Sequence, residues 1–215
     1  MSTTPYEALH WHLHPGRTAL VVIDPQNDFL HDDGWYATKG VDVTHMQRSI
    51  EPTRRLVDAC HAADVPVIWT RHGSHGTHDA GTFHELRPFL RDGGLRIGTW
   101  GYEILDGLGY EEGDWVVEKQ RLSAFFQTNL EIVLRGLNAD TVLICGVLTN
   151  QCVAATSKDA TFRDFRPIVV EDATGTTFPH LHDPAIEMMR VGWAQVNSLD
   201  DTLAELAGLP RSAAR

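Results

Sequence analysis

The chain has 215 residues, 42% hydrophobic and 22% charged, which bounds it to one ordinary globular domain or at most a tight pair and excludes wholesale disorder. Its 29 acids against 18 bases give a formal charge of −11 with no Lys/Arg-rich run, so neither nucleic acid nor an anionic membrane surface is an expected partner. The apolar stretches Ala19 to Ile23 and Val142 to Cys145 are too short to span a bilayer, the first residues lack a signal-peptide pattern, and three cysteines fit reduced thiols in a cytoplasmic protein.

Thr18 to Ile23 reads as a fully buried strand ended by Asp24-Pro25. Val41 to Ala63 carries apolar residues at helical spacing, with Pro52 marking either a kink or a break between two helices. Val65 to Thr70 and Trp115 to Glu118 read as the second and third strands. Thr128 to Leu137 has helix signals, with Thr128 as N-cap, Glu131 three residues on and Gly136 near the end. Thr141 to Cys145 is a fourth strand, Asn150 to Phe162 a helix, Arg166 to Val170 a fifth strand and Pro184 to Val191 a further helix. Gln195 to Ser198 gives a last short strand, before a helical tail from Asp200.

Buried strands alternating with helices imply crossover connections. The expected fold is therefore one three-layer α/β/α domain with a mostly parallel, Rossmann-like sheet of about six strands. It spans residues 18–200, after an N-terminal arm (1–17) and before a short helical tail (201–215). In such sheets ligands bind beyond the carboxyl ends of the strands, so reactive residues should follow strand ends.

Three do. Asp24 follows the first strand, Lys119 the third, and Cys152 lies shortly after the fourth and opens the next helix. A helix N-terminus and a nearby cation would lower the thiol pKa, a carboxylate would move its proton, and backbone N–H groups of 146–152 would hold an oxyanion. Singly, each has a simpler reading: a small core thiol, a turn residue before proline, a surface lysine. Their joint placement at three strand ends raises acyl transfer to stand level with those simpler readings.

The ordered segments Val22-Ile-Asp24-Pro-Gln-Asn-Asp28-Phe29, Glu118-Lys119-Gln-Arg-Leu-Ser-Ala-Phe-Phe126 and Gly146-Val-Leu-Thr149-Asn-Gln-Cys152-Val153 carry a resemblance. With Thr156, Asp159-Ala160 and Val170-Glu-Asp172-Ala173, the chain from Thr18 to Ser198 resembles the isochorismatase-like cysteine hydrolases. The resemblance implies a triad of Asp24, Lys119 and Cys152. It also implies a cis peptide between Val147 and Leu148, with the N–H groups of Leu148 and Cys152 as oxyanion hole and Thr149 bracing the loop. Cleavage of a C–N bond in a small amide, ureido or N-carbamoyl compound follows, through a thioester.

Arg121 to Phe126 and Phe162 to Pro167 are similar to the branch that cleaves the vinyl ether of isochorismate, which lacks the cysteine; Cys152 favours the amidohydrolase branch. Isochorismatase-type ether hydrolysis and a catalytically silent binding subunit are the alternatives. The resemblance also implies a homodimer or homotetramer.

His72, His75, His78 and His84 suggest metal ligands. Nicotinamidases of the family use an Asp-x-His pair after the second strand, and Thr70 stands in place of that Asp. No metal and no other cofactor is expected. Phe29, Trp35, Tyr36, Trp69, Trp100 and Phe125, with Gln151 beside the nucleophile, are the expected substrate-binding residues.

Overall fold

The computed structural model describes residues 9–210. Its centre is a six-stranded, wholly parallel sheet in the order β3-β2-β1-β4-β5-β6. The strands are β1 (Thr18–Ile23), β2 (Val67–His72), β3 (Trp115–Lys119), β4 (Thr141–Val147), β5 (Arg166–Gly175) and β6 (Gln195–Asn197). Every residue of β1 and of β4 is buried, as expected for central strands covered on both faces.

Alternate side chains feed two cores. Ala19, Val21 and Ile23 of β1, with Val142 and Ile144 of β4, pack under the helices Leu130–Gly136 and His182–Gly192. Leu20 and Val22, with Leu143 and Cys145, pack on the other face against Leu56, Val57 and Cys60 of the Ile50–Ala62 helix and Leu206 of the Leu199–Ala207 helix. A third cluster, built from Phe29, Tyr36, Met46, Leu90, Leu95 and Leu148, sits over the carboxyl ends of the strands.

Several boundaries differ from the sequence reading. The break in the 41–63 stretch falls at 48–49, between a single turn (Thr44–Gln47) and the Ile50–Ala62 helix. Pro52 then lies in the first turn, where its missing N–H is no loss. The Leu130–Gly136 helix has Asn129 at its N-cap; Thr128 Oγ1 accepts from Leu130 N and Glu131 turns to Arg163 instead of forming a capping box. The segment after β4 opens with a π-type turn (Thr149–Val153) before a regular helix (Ala154–Thr161).

Of the arm, residues 1–8 lie outside the described chain. Leu13 joins the core and Trp11 N donates to Gln195 Oε1 at 2.6 Å. At the other end the last helix starts at Leu199, its Asp201 N–H capped by Ser198 Oγ at 3.1 Å, and residues 211–215 are outside the described part.

The strand order reverses between β1 and β4, the place where open parallel sheets form a crevice. There the backbones come very close. Gly146 pairs with Ile23 at φ 102°, and a Cβ at that position would lie 2.2 Å from Ile23 O. We expect Gly146→Ala to lose at least the ~1–3 kcal/mol of a non-glycine residue held at positive φ, with the overlap added. Urea unfolding of the purified variant measures this; wild-type stability would contradict it.

Candidate active site

Asp24, Lys119 and Cys152 meet at the carboxyl end of the sheet, each almost or wholly buried. Asp24 follows β1 at φ 48°, a left-handed conformation that Asp adopts more readily than most residues. Lys119 is the last residue of β3 and Cys152 sits in the π-type turn after β4. Lys119 Nζ lies 2.7 Å from Asp24 Oδ2 and donates to Cys152 Sγ at 3.4 Å and to Arg121 O at 2.9 Å. β1 and β3 are not neighbours, so this ion pair bridges over β2. Thr70 of β2 lies beneath it, donating its hydroxyl to Asp24 Oδ1 at 2.6 Å and accepting from Asp24 N at 3.0 Å.

The motif residues around the triad hold these elements together. Gln26 Nε2 donates to His72 O and Tyr102 O, while Gln26 Oε1 accepts from His72 N at 2.7 Å. Asp28 accepts from Trp35 N and Leu95 N, fixing the segments over the site. Thr156 Oγ1 accepts from Ala124 N at 3.0 Å and Ser123 Oγ donates to Asp159 Oδ2 at 2.5 Å, locking the loop after Lys119 to the helix after Cys152. The peptide between Val147 and Leu148 is cis. Thr149 Oγ1 lies 3.1 Å from His182 Nδ1, a tie to the His182–Gly192 helix.

Burial dominates the electrostatics. It pushes the Cys152 thiol up to about 12; Lys119 pulls it back and Asp24 pushes it further up. The resting sulfur is therefore protonated at neutral pH, which corrects the expectation of a thiol acidified by a helix N-terminus and a cation. Burial lowers the Lys119 ammonium, but Asp24 and Cys152 outweigh it and the net shift is upward. Burial, with Lys119 and Arg121 adding to it, lowers His72 well below its usual range, so its imidazole is neutral.

Of the expected pocket aromatics, Phe29 and Tyr36 pack together at 4.7 Å between ring centroids over the strand ends. Trp69 and Phe125 are corrections. The indole of Trp69 points to the opposite face of the sheet and donates to Asp114 Oδ2 at 2.8 Å, because alternation along β2 puts it in the core with Leu56 and Val57. Phe125 stacks on Phe165 at 5.8 Å inside the core under the Leu130–Gly136 helix. Trp35 covers Gly93 and Gly94 and donates to Phe89 O at 2.9 Å, so it buttresses a loop. Trp100 is exposed, edge-on to His31.

A cavity of about 290 Å³ lies above Leu148, walled by Tyr36, Val41, Phe89 and Phe178, with Asp42, Arg87 and Thr177 as its polar groups. Gln151 borders this region, accepting from Arg87 Nη2 at 3.0 Å. Arg87 was not legible in the sequence, since its loop carries no periodic signal.

The four histidines split into two buried and two exposed, and the buried His72 and His84 line one small pocket. His75 and His78 are exposed, and buried His84 lies 3.4 Å from Arg96 Nη1. Among the described residues the one group of three ligand types is Asp24, His72 and Cys152, with atoms within 4.8 Å of one another. Two of the three already hold the Lys119 ammonium, and Thr70 supplies a hydroxyl where a metal-binding pattern needs a carboxylate. The Lys119 ammonium would compete with a dication for this donor set.

The isochorismatase-domain family model matches residues 18–201, most of the chain. The chain belongs to the isochorismatase-domain family. Its relatives include a ureidoacrylate amidohydrolase RutB of Rhizobium rhizogenes, 32% identical over 91% of this chain and 87% of that protein. A cysteine hydrolase of Pseudomonas syringae superposes with a TM-score of 0.86 at 25% identity, covering 95% of this chain and 99% of that one. The N-carbamoylsarcosine amidase of Thermoplasma acidophilum superposes at 0.70 with 29% identity over 86% and 97% of the two chains. The six-stranded parallel sheet with helices on both faces is thus this family's fold, and no helix among the described residues is long and apolar enough to cross a membrane.

Two outcomes follow for this family member. Lys119→Met leaves the Asp24 carboxylate buried without its cation, and urea denaturation should show a loss of about 3–5 kcal/mol; a loss below 1 kcal/mol would contradict the pair's structural role. Iodoacetamide labelling of Cys152, followed by peptide mass mapping, should accelerate about tenfold per pH unit from 7 to 10 without levelling. A plateau below pH 8 would mean that the sulfur rests as thiolate.

Proposed function

We propose that Cys152 is the nucleophile of a hydrolase acting on C–N bonds other than peptide bonds, with a small amide, ureido or N-carbamoyl compound as substrate. The observation that carries the reading is the convergence of a carboxylate, an ammonium and a thiol within contact distance, deep at the switch point of the sheet. The names of the amidohydrolase relatives, matched over 86% to 91% of this chain, support it.

The protonated resting thiol sets the first step. Asp24 takes the Cys152 proton as the sulfur attacks the carbonyl carbon, and Lys119 balances the negative charge that moves from carboxylate to sulfur. The carbonyl oxygen becomes an oxyanion against the N–H groups of Leu148 and Cys152. Collapse breaks the C–N bond, and Asp24 returns the proton to the departing ammonia or amine. A thioester (or carbamoyl thioester) remains on the sulfur. Water, deprotonated by Asp24, attacks it; the acid or carbamate leaves and the thiol regains its proton. The cycle consumes one water and needs no metal.

The buried cysteine separates this reading from ether hydrolysis, which has no step for a thiol, and from a silent subunit, which has no reason to pair it with a buried base. The test is an ammonia-release screen over amides, ureas and carbamoyl amino acids. Wild type should turn over at least one class, and Cys152→Ala and Cys152→Ser should lose at least ~10³-fold while keeping wild-type circular dichroism. Rapid quenching with intact-mass analysis should show an acyl or carbamoyl adduct on Cys152. Full activity in either variant, or thiol-insensitive pyruvate release from isochorismate, would overturn the proposal.

A further inference from the structure

Two half-buried imidazoles outside the triad meet beside the turn that carries Cys152. His45, in the Thr44–Gln47 turn, and His182, the first residue of the His182–Gly192 helix, have ring centroids 5.0 Å apart. Each is tied to a different residue of the 149–153 turn. His182 Nδ1 lies 3.1 Å from Thr149 Oγ1. His45 Nδ1 accepts from Thr176 N at 3.3 Å, and Thr176 Oγ1 in turn donates to Asn150 Oδ1 at 2.7 Å. Thr149 and Thr176 are wholly buried, so bulk water cannot replace these partners. The turn has little else to hold its shape: Gln151 N and Val153 N both donate to Leu148 O, at 3.0 and 3.2 Å, in a rarely adopted π-type geometry.

The tie through His45 exists in one protonation state. A ring nitrogen that accepts from a backbone N–H carries no proton of its own, so charging His45 at Nδ1 breaks its bond to Thr176. Charging His182 as well places two cations 5.0 Å apart. The charged groups around the pair pull in both directions. Asp183 and Asp42 favour the cation on His45 and Arg48 opposes it; Asp183 and Asp172 of β5 favour it on His182. Burial outweighs these acids and lowers both imidazoles, with His182 and Arg48 adding to the effect on His45. Both rings are therefore neutral at pH 7. The support they give is complete above the ordinary histidine range and is lost as pH falls through their lowered folded-state values.

We propose that His45 and His182 are positioning residues that clasp the turn carrying Cys152 as neutral imidazoles, and that charging them in acid releases it. Thr149 and Asn150 lie between Leu148 and Cys152, whose N–H groups hold the oxyanion in the mechanism proposed above. A displacement of about 1 Å at such a place costs on the order of a hundredfold in rate. The effect on rate rests on the hydrolytic reading, but the clasp itself is measurable without turnover.

The experiment follows amide hydrogen exchange by mass spectrometry in the full chain, on peptides covering residues 147–153 and, as a control, the Ile50–Ala62 helix, from pH 8 to pH 4.5 with the intrinsic pH dependence removed. Wild type should exchange at least tenfold faster in the turn at the acid end, with the control helix still protected. His45→Ala and His182→Ala should open the turn by a similar factor already at pH 8. His45→Asn and His182→Asn, whose carboxamide oxygen accepts near the place of Nδ1 and does not titrate, should restore part of the protection at both ends. On a compound that turns over, the Ala variants should lose more in kcat than in KM, and the double Asn variant should have a shallower acid limb of kcat than wild type. Unchanged protection of the turn in acid, loss shared equally by the control helix, or the same acid opening in the Asn variants would overturn the proposal. If the turn opens as described but no compound turns over, the hydrolytic reading falls and the clasp stands. Turnover with an acid limb that the double Asn variant leaves unmoved gives the reverse.

Discussion

The site depends on one buried ion pair. Asp24 and Lys119 are both withdrawn from water, and neither could be there without the other, because an isolated charge in such surroundings is costly by several kcal/mol. The pair has to cross over β2, since its two residues end strands that do not touch. Thr70 makes the crossing possible: its hydroxyl satisfies a carboxylate oxygen and it adds no charge. A second carboxylate at position 70 would face Asp24 directly and compete for the ammonium.

The same burial governs the sulfur. Low polarity opposes an anionic Cys152 more strongly than Lys119 favours it. In the proposed mechanism the thiol is quiet until a carbonyl is in place to accept the electrons and Asp24 the proton. Cys60 and Cys145 are more deeply buried and their thiols are raised by burial too, with no cation beside them. Placement, not intrinsic acidity, sets Cys152 apart from the other two.

The buried strands and the residues that follow their ends were legible because both follow from patterns that survive in one dimension. Runs such as Thr18 to Ile23 can bury only in a sheet covered on both faces, and Asp24, Lys119 and Cys152 follow such runs at short intervals. Thr156 and Asp159 were legible as motif members but not in their role, which is to clamp the loop after Lys119 through Ala124 and Ser123. The failures are equally physical. Trp69 was placed at the pocket from its residue type, whereas strand alternation turns it to the far face; Phe125 shares that fate beneath a helix. The π-type turn at 149–153 leaves no periodic trace, and Arg87 sits in a segment whose path is set by Asp28 reaching across to Leu95 N.

The division of labour between framework and excursion has an evolutionary corollary. Asp24, Lys119 and Cys152 are anchored just after β1, at the end of β3 and in the turn after β4, where a shift of one residue would disturb the whole sheet. Arg87 and Phe89 of the cavity wall hang from the long span between β2 and β3, tethered by a few bonds such as Trp35 Nε1 to Phe89 O. Exchange of that span can reshape the cavity above Leu148 while the contacts among Asp24, Lys119 and Cys152 stay in place.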